Sequence, residues 1–116
     1  MDNDGRPVAW VTGGATGIGR ACARELGKAG YTVVISGRRQ AVLDEAREDL
    51  VADEIDVRTM ALDVADAAAV AEVAARIQDD FGRIDVLACS AGLNAPNRYW
   101  RDLTPEAFAR VTSVNL

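Results

Sequence analysis

Hydrophobic residues form four short runs along this chain, and the segments between them repeat their apolar positions every three or four residues. The runs span residues 8–12, 32–36, 57–62 and 84–89. Short apolar runs are typical of buried strands, whereas the longer spacing is typical of amphipathic helices. The first two runs and the last are nearly continuous and rich in Val and Ile, which favours strands covered on both faces. The pattern therefore predicts a βαβαβαβ order with a parallel sheet.

The periodic segments predict helices over residues 17–29, 40–52 and 67–81. Gly30 and Gly82 follow the first and third of these segments and suit the left-handed position at which many helices end. Helices two and three each carry one apolar face that should pack on the sheet. These faces comprise Val42, Leu43, Ala46 and Leu50 on helix two, and Val70, Val73, Ala74, Ile77 and Phe81 on helix three.

A fourth helix is predicted to begin at Thr104, whose hydroxyl can cap it, and it still runs at Leu116 without a breaker. No linker divides residues 1–116, so we expect one domain. A sheet that stopped at residues 84–89 would also leave an apolar edge uncovered. The chain is therefore expected to be the first four strands and about four helices of a longer α/β protein with a doubly wound parallel sheet.

The composition excludes several classes of protein. A formal net charge of −5 argues against a nucleic-acid or anionic-membrane partner, because such surfaces need clustered Lys and Arg. The chain has no His, which removes a Ser-His-Asp relay and most zinc sites, so no metal is expected. Cys22 and Cys89 are expected to be buried thiols without a disulfide. No apolar run approaches the ~20 residues that span a bilayer, and the acidic start is unlike a signal peptide, which predicts a cytoplasmic protein.

The segment Thr12-Gly-Gly-Ala-Thr-Gly-Ile-Gly19 joins the first predicted strand to the first predicted helix. Glycines at 13, 17 and 19 permit a tight turn and close approach of a ligand. The free N–H groups of the first helical turn attract phosphate. A glycine triplet alone also fits a plain strand-to-helix turn, but the flanking strand and helix favour a nucleotide cradle.

This glycine spacing, with Thr12 before it and Ile18 inside it, resembles the short-chain dehydrogenase/reductase family, whose cofactor domain has a Rossmann-type fold. An Asp-Val pair, an Ala-Gly pair and a terminal Asn follow in the family's order, so the resemblance covers essentially the whole chain. The resemblance implies a set of cofactor-binding residues after each of the four strands. These are Gly13, Ala15, Thr16, Gly17, Ile18 and Gly19, then Ser36, Arg38 and Arg39, then Asp63 and Val64, and finally Ala91 and Gly92.

Arg38 and Arg39 stand where dinucleotide folds that use NAD carry an acid for the ribose 2′-hydroxyl. Because Arg38 can fork onto a phosphate, the 2′-phosphate of NADP fits better, by roughly ten- to a hundredfold for a bond of about 1.5–3 kcal/mol. The alternative is that both arginines are the solvated flank of helix two, although cations near a helix N-terminus are unfavourable. We expect NADP, with NAD as the weaker cofactor.

The resemblance also assigns roles to single residues. Asp63 would accept a hydrogen bond from the adenine amine. Taken alone, an acid here fits a turn or a helix start better, but its position after the third strand of a chain with the glycine motif favours the adenine role. Asn115 would be a catalytic position that helps to hold the water and Lys of a proton relay. The Tyr-x-x-x-Lys that the family uses to protonate the carbonyl oxygen does not occur in these residues. Cys89 and Ser90 replace two Asn, the first of which ties the central strands together in the family.

The first functional hypothesis is thus an NADP-dependent oxidoreductase that acts on a small carbonyl or alcohol substrate, with these residues alone inactive. The resemblance also implies a homo-oligomer. A second hypothesis is a non-catalytic nucleotide-binding or assembly module. A methyltransferase is a third, but it needs an acid where Gly37 and Arg38 lie.

Overall fold

The computed structural model describes residues 3–90, where three helices pack on one four-stranded sheet. The strands are β1 (Val8–Thr12), β2 (Thr32–Ser36), β3 (Val57–Thr59) and β4 (Val86–Cys89), and the helices are α1 (Gly17–Lys28), α2 (Gln40–Ala52) and α3 (Ala67–Phe81). The predicted βαβαβαβ order is confirmed for this range. The predicted fourth helix lies outside the described residues. None of the three helices is long and apolar enough to cross a membrane.

All strand pairs are parallel, and the strands lie in the order β3-β2-β1-β4. From β1 the chain moves outward to β2 and β3, and then crosses back to place β4 on the other side of β1. Thr12 at the end of β1 is in register with Ser36 of β2 and Cys89 of β4. Open α/β sheets bind ligands at the carboxyl ends of strands where the strand order reverses, which here is between β1 and β4.

Helices cover both faces of the sheet, as expected for a doubly wound fold. Helices α1 and α2 pack on one face around Ala23, Leu43 and Leu50, all without exposed surface. Helix α3 packs on the other face, where Ile77 joins the strand residue Trp10. The predicted apolar faces of α2 and α3 are confirmed, because their members are buried or half-buried in these two clusters.

Two strands are shorter than predicted. Strand β3 ends at Thr59, although the amides of Met60 and Leu62 still donate to β2 or the residue after it, at 3.0 and 2.8 Å. Strand β4 begins at Val86, because the preceding Asp85 joins β1 partly through its side chain. Its carboxylate accepts from the Val8 amide at 2.7 Å.

The prediction that Cys89 is buried is wrong, because its thiol lies on an exposed residue, and Cys22 is half-buried. Strand β4 alternates half-buried and exposed residues, and within residues 3–90 it pairs only with β1. Leu87 is 55% exposed for the same reason. Both thiols are free, as expected.

An ion-pair cluster around Asp56 closes the amino ends of β1, β2 and β3. The Asp56 carboxylate lies 2.7 Å from Arg6 Nη2 and 3.1 Å from Arg58 Nε, and it accepts from the Thr32 hydroxyl at 2.9 Å. Burial alone would raise the pKa of Asp56. The hydrogen bonds from Arg58 and Thr32, with the charges of Arg58 and Arg6, hold the pKa below its usual value.

A second cluster joins β4 to β1 at the same edge. Arg83 donates to both oxygens of Asp85 at 2.8 Å, and the Val8 amide donates to one of them. The hydrogen bond from Arg83 and then that from Val8 lower the pKa of the Asp85 carboxyl. Charged groups therefore hold the strands together at the amino edge of the sheet, the edge at which the parallel strands begin.

Candidate functional site

A cleft of about 560 Å³ opens at the carboxyl edge of the sheet, where the segments after all four strands meet. The cleft lies between the ends of β1 and β4, where the strand order reverses, and extends over the ends of β2 and β3. The lining residues come from each of these segments. They are Gly13, Ala15, Thr16, Gly17, Ile18, Ser36, Gly37, Arg38, Arg39, Val42, Leu62, Asp63, Val64 and Ser90.

The turn after β1 uses two glycines for backbone conformation. Gly13 has φ 70° and Gly17 has φ 53°, both in the left-handed region that strains other residues. The Gly13 amide donates to the Ser36 carbonyl at 2.8 Å. This bond fastens the start of the turn to the end of β2, so the two walls of the cleft share a fixed geometry.

Two other glycines are required for space. A Cβ on Gly14 would lie 2.7 Å from Ile35 Cγ2, and a Cβ on Gly19 would overlap the Gly13 carbonyl. Gly19 thus lets the first turn of α1 lie directly against the start of the loop. This close packing places the amino end of α1 at the cleft.

Helix α1 begins at the cleft with uncapped amide groups. Thr16 is its N-cap residue, but the Thr16 side chain makes no capping hydrogen bond, and the first turn contains no acid. Thr16, Gly17 and Ile18 line the cleft and are exposed, Ile18 by 79%. Unpaired N–H groups and the helix dipole attract anions, so this end of α1 can accept a phosphate group.

Arg38 and Arg39 place positive charge on the opposite wall. Both are exposed, and Arg39 is the N-cap residue of α2, again without a side-chain cap and without an acid in the first turn. Across residues 3–90 neither guanidinium takes part in an ion pair. Cations at a helix N-terminus do not stabilise the helix, so this arrangement suits an anionic ligand better than it suits α2.

Ser36 lies beneath this wall and is 1% exposed. Its hydroxyl accepts from the Trp10 indole N–H at 2.9 Å, and its carbonyl accepts from Gly13 and Gly14. Its polar groups therefore mainly hold β1, β2 and the glycine turn together.

Asp63 lines the cleft and also stabilises the turn before α3. Its carboxylate accepts from the Ala65 amide at 3.0 Å, and its carbonyl accepts from the Asp66 amide. Asp66 caps α3 by accepting from the Ala69 amide at 3.1 Å. Both interpretations of Asp63 from the sequence, a cleft residue and a turn acid, apply to the same side chain.

The predicted cofactor residues between 3 and 90 all line the cleft except Gly19, which is buried behind Gly13. Ala91, Gly92 and Asn115 lie outside the described residues. Sequence reasoning missed Gly37, Leu62 and Ser90 as lining residues, although each adjoins a predicted position. It also missed Val42, which was assigned only to the core face of α2 and which borders the cleft as well.

The cleft has the opposite charge balance to the whole chain. Its lining residues include two guanidinium groups and one carboxylate, Asp63, whereas the chain has a net charge of −5. With an uncapped helix end and glycines that allow close approach, the residues present fit an extended dianionic or polyanionic ligand such as a dinucleotide.

Known proteins are similar to this chain in sequence and in fold. Versicolorin reductase 1 of Aspergillus parasiticus is 35% identical over 113 residues, which cover 97% of this chain and 42% of that protein. The cis-4-hydroxycyclohexanecarboxylate dehydrogenase of Sinomonas cyclohexanicum is 39% identical over 94% of this chain and 43% of its own length. The chain thus spans less than half the length of these relatives.

Solved structures agree. An actinorhodin polyketide ketoreductase with NADPH superposes with a TM-score of 0.86 at 28% identity, over the whole chain and 44% of that protein. A metagenomic short-chain oxidoreductase in complex with NADP has a TM-score of 0.84 at 33% identity, over 97% of this chain and 50% of its own. The sequence model of the family described as short chain dehydrogenase matches residues 7–116. This chain therefore belongs to the short-chain dehydrogenase family.

Proposed function

We propose that the intact protein is an NADP-dependent oxidoreductase that moves a hydride between the nicotinamide ring and a small carbonyl or secondary alcohol substrate. The observation that carries the proposal is the cleft, where an uncapped helix N-terminus and two arginines without ion-pair partners among residues 3–90 face the reversal point of the sheet. Relatives named as reductases and dehydrogenases, and similar structures that contain NADPH or NADP, support the same proposal.

In this proposal each wall of the cleft binds a different part of NADP. The amides at the start of α1 bind the pyrophosphate, and Gly19 places this helix end at the cleft by letting α1 pack against Gly13. Arg38 binds the 2′-phosphate through a charge-assisted, forked contact, with Arg39 beside it. Asp63 accepts from the adenine amine while its other contacts hold the turn. Ala91 and Gly92 are assigned to the nicotinamide end.

NADP supplies the hydride donor or acceptor at its nicotinamide ring. Asn115 is proposed to help order the proton relay, and a Tyr-x-x-x-Lys would give or take the proton at the substrate oxygen. In the printed sequence Tyr31 and Tyr99 have no Lys four residues on, and Lys28 is the sole Lys. These 116 residues by themselves are therefore proposed to bind cofactor without turnover, and the intact protein is proposed to be a homo-oligomer.

The second candidate function is nucleotide binding without catalysis, for which the cleft and its lining residues are sufficient. The two candidates differ in turnover and not in affinity. Oxidation of NADPH at 340 nm by the intact gene product with a panel of ketones and aldehydes supports the oxidoreductase. Tight NADPH binding with no turnover of any carbonyl or alcohol supports the binding module.

Arg38→Ala tests the proposed cofactor choice. Loss of a charge-assisted bond of about 1.5–3 kcal/mol should raise the NADPH dissociation constant roughly ten- to a hundredfold and leave that of NADH within about twofold. Arg47→Ala is the matched control, because Arg47 lies on the exposed side of α2 and does not line the cleft. An equal rise in the dissociation constants of NADPH and NADH in Arg38→Ala would show that Arg38 does not bind the 2′-phosphate.

A further inference from the structure

Arg20 makes a contact that no other arginine of α1 makes. Its Nε donates to the carbonyl of Ala15, within the glycine turn, at 2.8 Å. Its Nη1 lies 3.5 Å from Asp49 on α2, and 23% of the side chain is exposed. Arg20 thus connects the cleft-lining turn to the outer surface of two packed helices.

The contact fixes the orientation of one peptide plane in the turn. No cis peptide bond occurs in the described residues, so the Ala15 carbonyl and the Thr16 N–H point in opposite directions. With the carbonyl held toward Arg20, the Thr16 N–H is turned away from Arg20. Ala15 and Thr16 both line the cleft. A carbonyl oxygen turned into the cleft instead would repel a phosphate, whereas an N–H can donate to it.

The Thr16 side chain cannot fix this plane, because it makes no capping hydrogen bond. The orientation of this peptide plane is set by ψ of Ala15 and φ of Thr16, and both torsions can change unless a contact holds the carbonyl or the N–H. The Arg20 bond is the charge-assisted restraint on this carbonyl, and such bonds are stronger than neutral ones.

We propose that Arg20 is a positioning residue for the dinucleotide pyrophosphate, which acts by holding the Ala15–Thr16 peptide with its N–H available to the cleft. The inference rests on the proposed function, because it concerns the same cleft. Arg20 itself does not line the cleft and is not assigned any contact with the ligand.

Arg24 provides a matched control. It lies one turn further along α1, and its guanidinium pairs with the same Asp49 and with Asp53 at 2.8 Å. Like Arg20 it joins α1 to α2. In the described part of the chain its hydrogen bonds go to these carboxylates and not to the glycine turn. Arg24→Met and Arg20→Met therefore both remove an interhelical ion pair, but only Arg20→Met releases the turn.

The test measures dissociation constants of NADPH and of adenosine 2′-monophosphate, which lacks the pyrophosphate, for the intact gene product. Arg20→Met should raise the NADPH value about tenfold and leave the adenosine 2′-monophosphate value within about twofold, in line with the loss of one well-placed hydrogen bond to a charged group. Arg24→Met should change neither dissociation constant by more than about twofold, because it removes only ion pairs on the helix surface, which contribute little. Arg20→Lys keeps a charged donor and should recover most of the NADPH affinity.

Equal losses of NADPH affinity in Arg20→Met and Arg24→Met would overturn the inference, because the effect would then come from the helix pair. An equal loss for both ligands in Arg20→Met would overturn it as well, since the whole site would have been disturbed. Either result leaves the proposed function standing. Absence of NADPH binding by the unaltered protein would overturn the proposed function and this inference together.

Discussion

At the scale of single residues, the shape of the cleft depends on glycines, whose lack of a Cβ lets other atoms pack close to the backbone. Gly19 has no Cβ, and the place that a Cβ would take is filled by the Gly13 carbonyl. Gly14 is also confined, since a Cβ there would lie 2.7 Å from Ile35 Cγ2, although nothing in the glycine spacing distinguishes Gly14. Such close approaches fix where the backbone donors of the turn lie, and they explain why small residues concentrate here.

Gly19→Ala should lower the stability of the fold. The new methyl group forces the turn or α1 to move, which should lower the free energy of unfolding by about 1–3 kcal/mol. Gly37→Ala is the control, because its Cβ would meet Leu43 at an ordinary 3.6 Å and its φ is not positive. That change should stay within about 0.5 kcal/mol in urea unfolding. Similar losses in the two variants would contradict the packing described for Gly19.

At the scale of elements, the helix N-termini differ: that of α3 is capped by a side chain, whereas those of α1 and α2 are left open to a ligand. Helix α3 has a side-chain cap at Asp66 and ends at Gly82 with φ 74°, so its polar ends are satisfied locally. Helices α1 and α2 begin at the cleft with neither a side-chain cap nor an acid in the first turn. The two uncapped ends are the ones that face the cleft, which is where a ligand can supply the missing anion.

Asp66→Ala should destabilise the fold through α3 alone. Loss of the bond to the Ala69 amide should lower the free energy of unfolding by about 1 kcal/mol. Asp66→Asn keeps an acceptor oxygen at the same place and should retain most of the stability, as measured by thermal or urea unfolding. If Asn were as damaging as Ala, the charge of Asp66 and not its capping bond would be responsible.

The spacing of apolar residues is sufficient to predict an element that is either buried along its whole length or apolar on a single face. Strands β1 and β2 and helices α2 and α3 have the predicted limits, because each has a continuous buried run or a single apolar face. Strand β3 was overestimated, since Met60 and Leu62 are buried beside α3 without belonging to the regular ladder. The sequence predicts Cys89 to be a buried thiol at the end of a strand, but Cys89 is exposed because strand β4 has one exposed side.

The site was predictable to the extent that it follows the strand ends. Residues after β1, β2 and β3 could be placed from the order of the parallel strands alone. Two features needed coordinates. The bond from Arg20 to Ala15 joins a helix side chain to a turn carbonyl, and the Trp10 bond to Ser36 crosses between strands. Neither contact has a characteristic spacing in the sequence.

At the scale of the whole molecule, charge divides the sheet into two edges. The amino edge is closed by the Asp56 and Asp85 clusters, in which every carboxylate is matched by an arginine. The carboxyl edge carries Arg38 and Arg39, whose charges face the cleft. Among residues 3–90 the arginines of the amino-edge clusters are thus paired with carboxylates, whereas the two arginines of the cleft are not, in a protein of net charge −5.

The amino edge should make stability depend on pH in acid. Because the folded pKa of Asp56 lies below its ordinary value, its stabilising contribution is complete above about pH 4 and is lost as the pH falls through the folded pKa. Asp56→Asn should therefore reduce the free energy of unfolding at pH 7, and its difference from the unaltered protein should shrink toward pH 3. Glu72→Gln, on the exposed side of α3, controls for the change of one charge. A difference that stayed constant with pH would contradict this linkage.

Amide hydrogen exchange of the intact gene product, measured with and without saturating NADPH, tests whether the carboxyl-edge cleft holds the cofactor. We expect slower exchange at residues 13–19 and 36–39 when NADPH is present, because bound phosphate groups occupy amides that are otherwise open at the starts of α1 and α2. Exchange at Val8, Asp56 and Asp85, on the opposite edge, should not change. Protection confined to that opposite edge, or no protection of residues 13–19 at saturation, would contradict the claim.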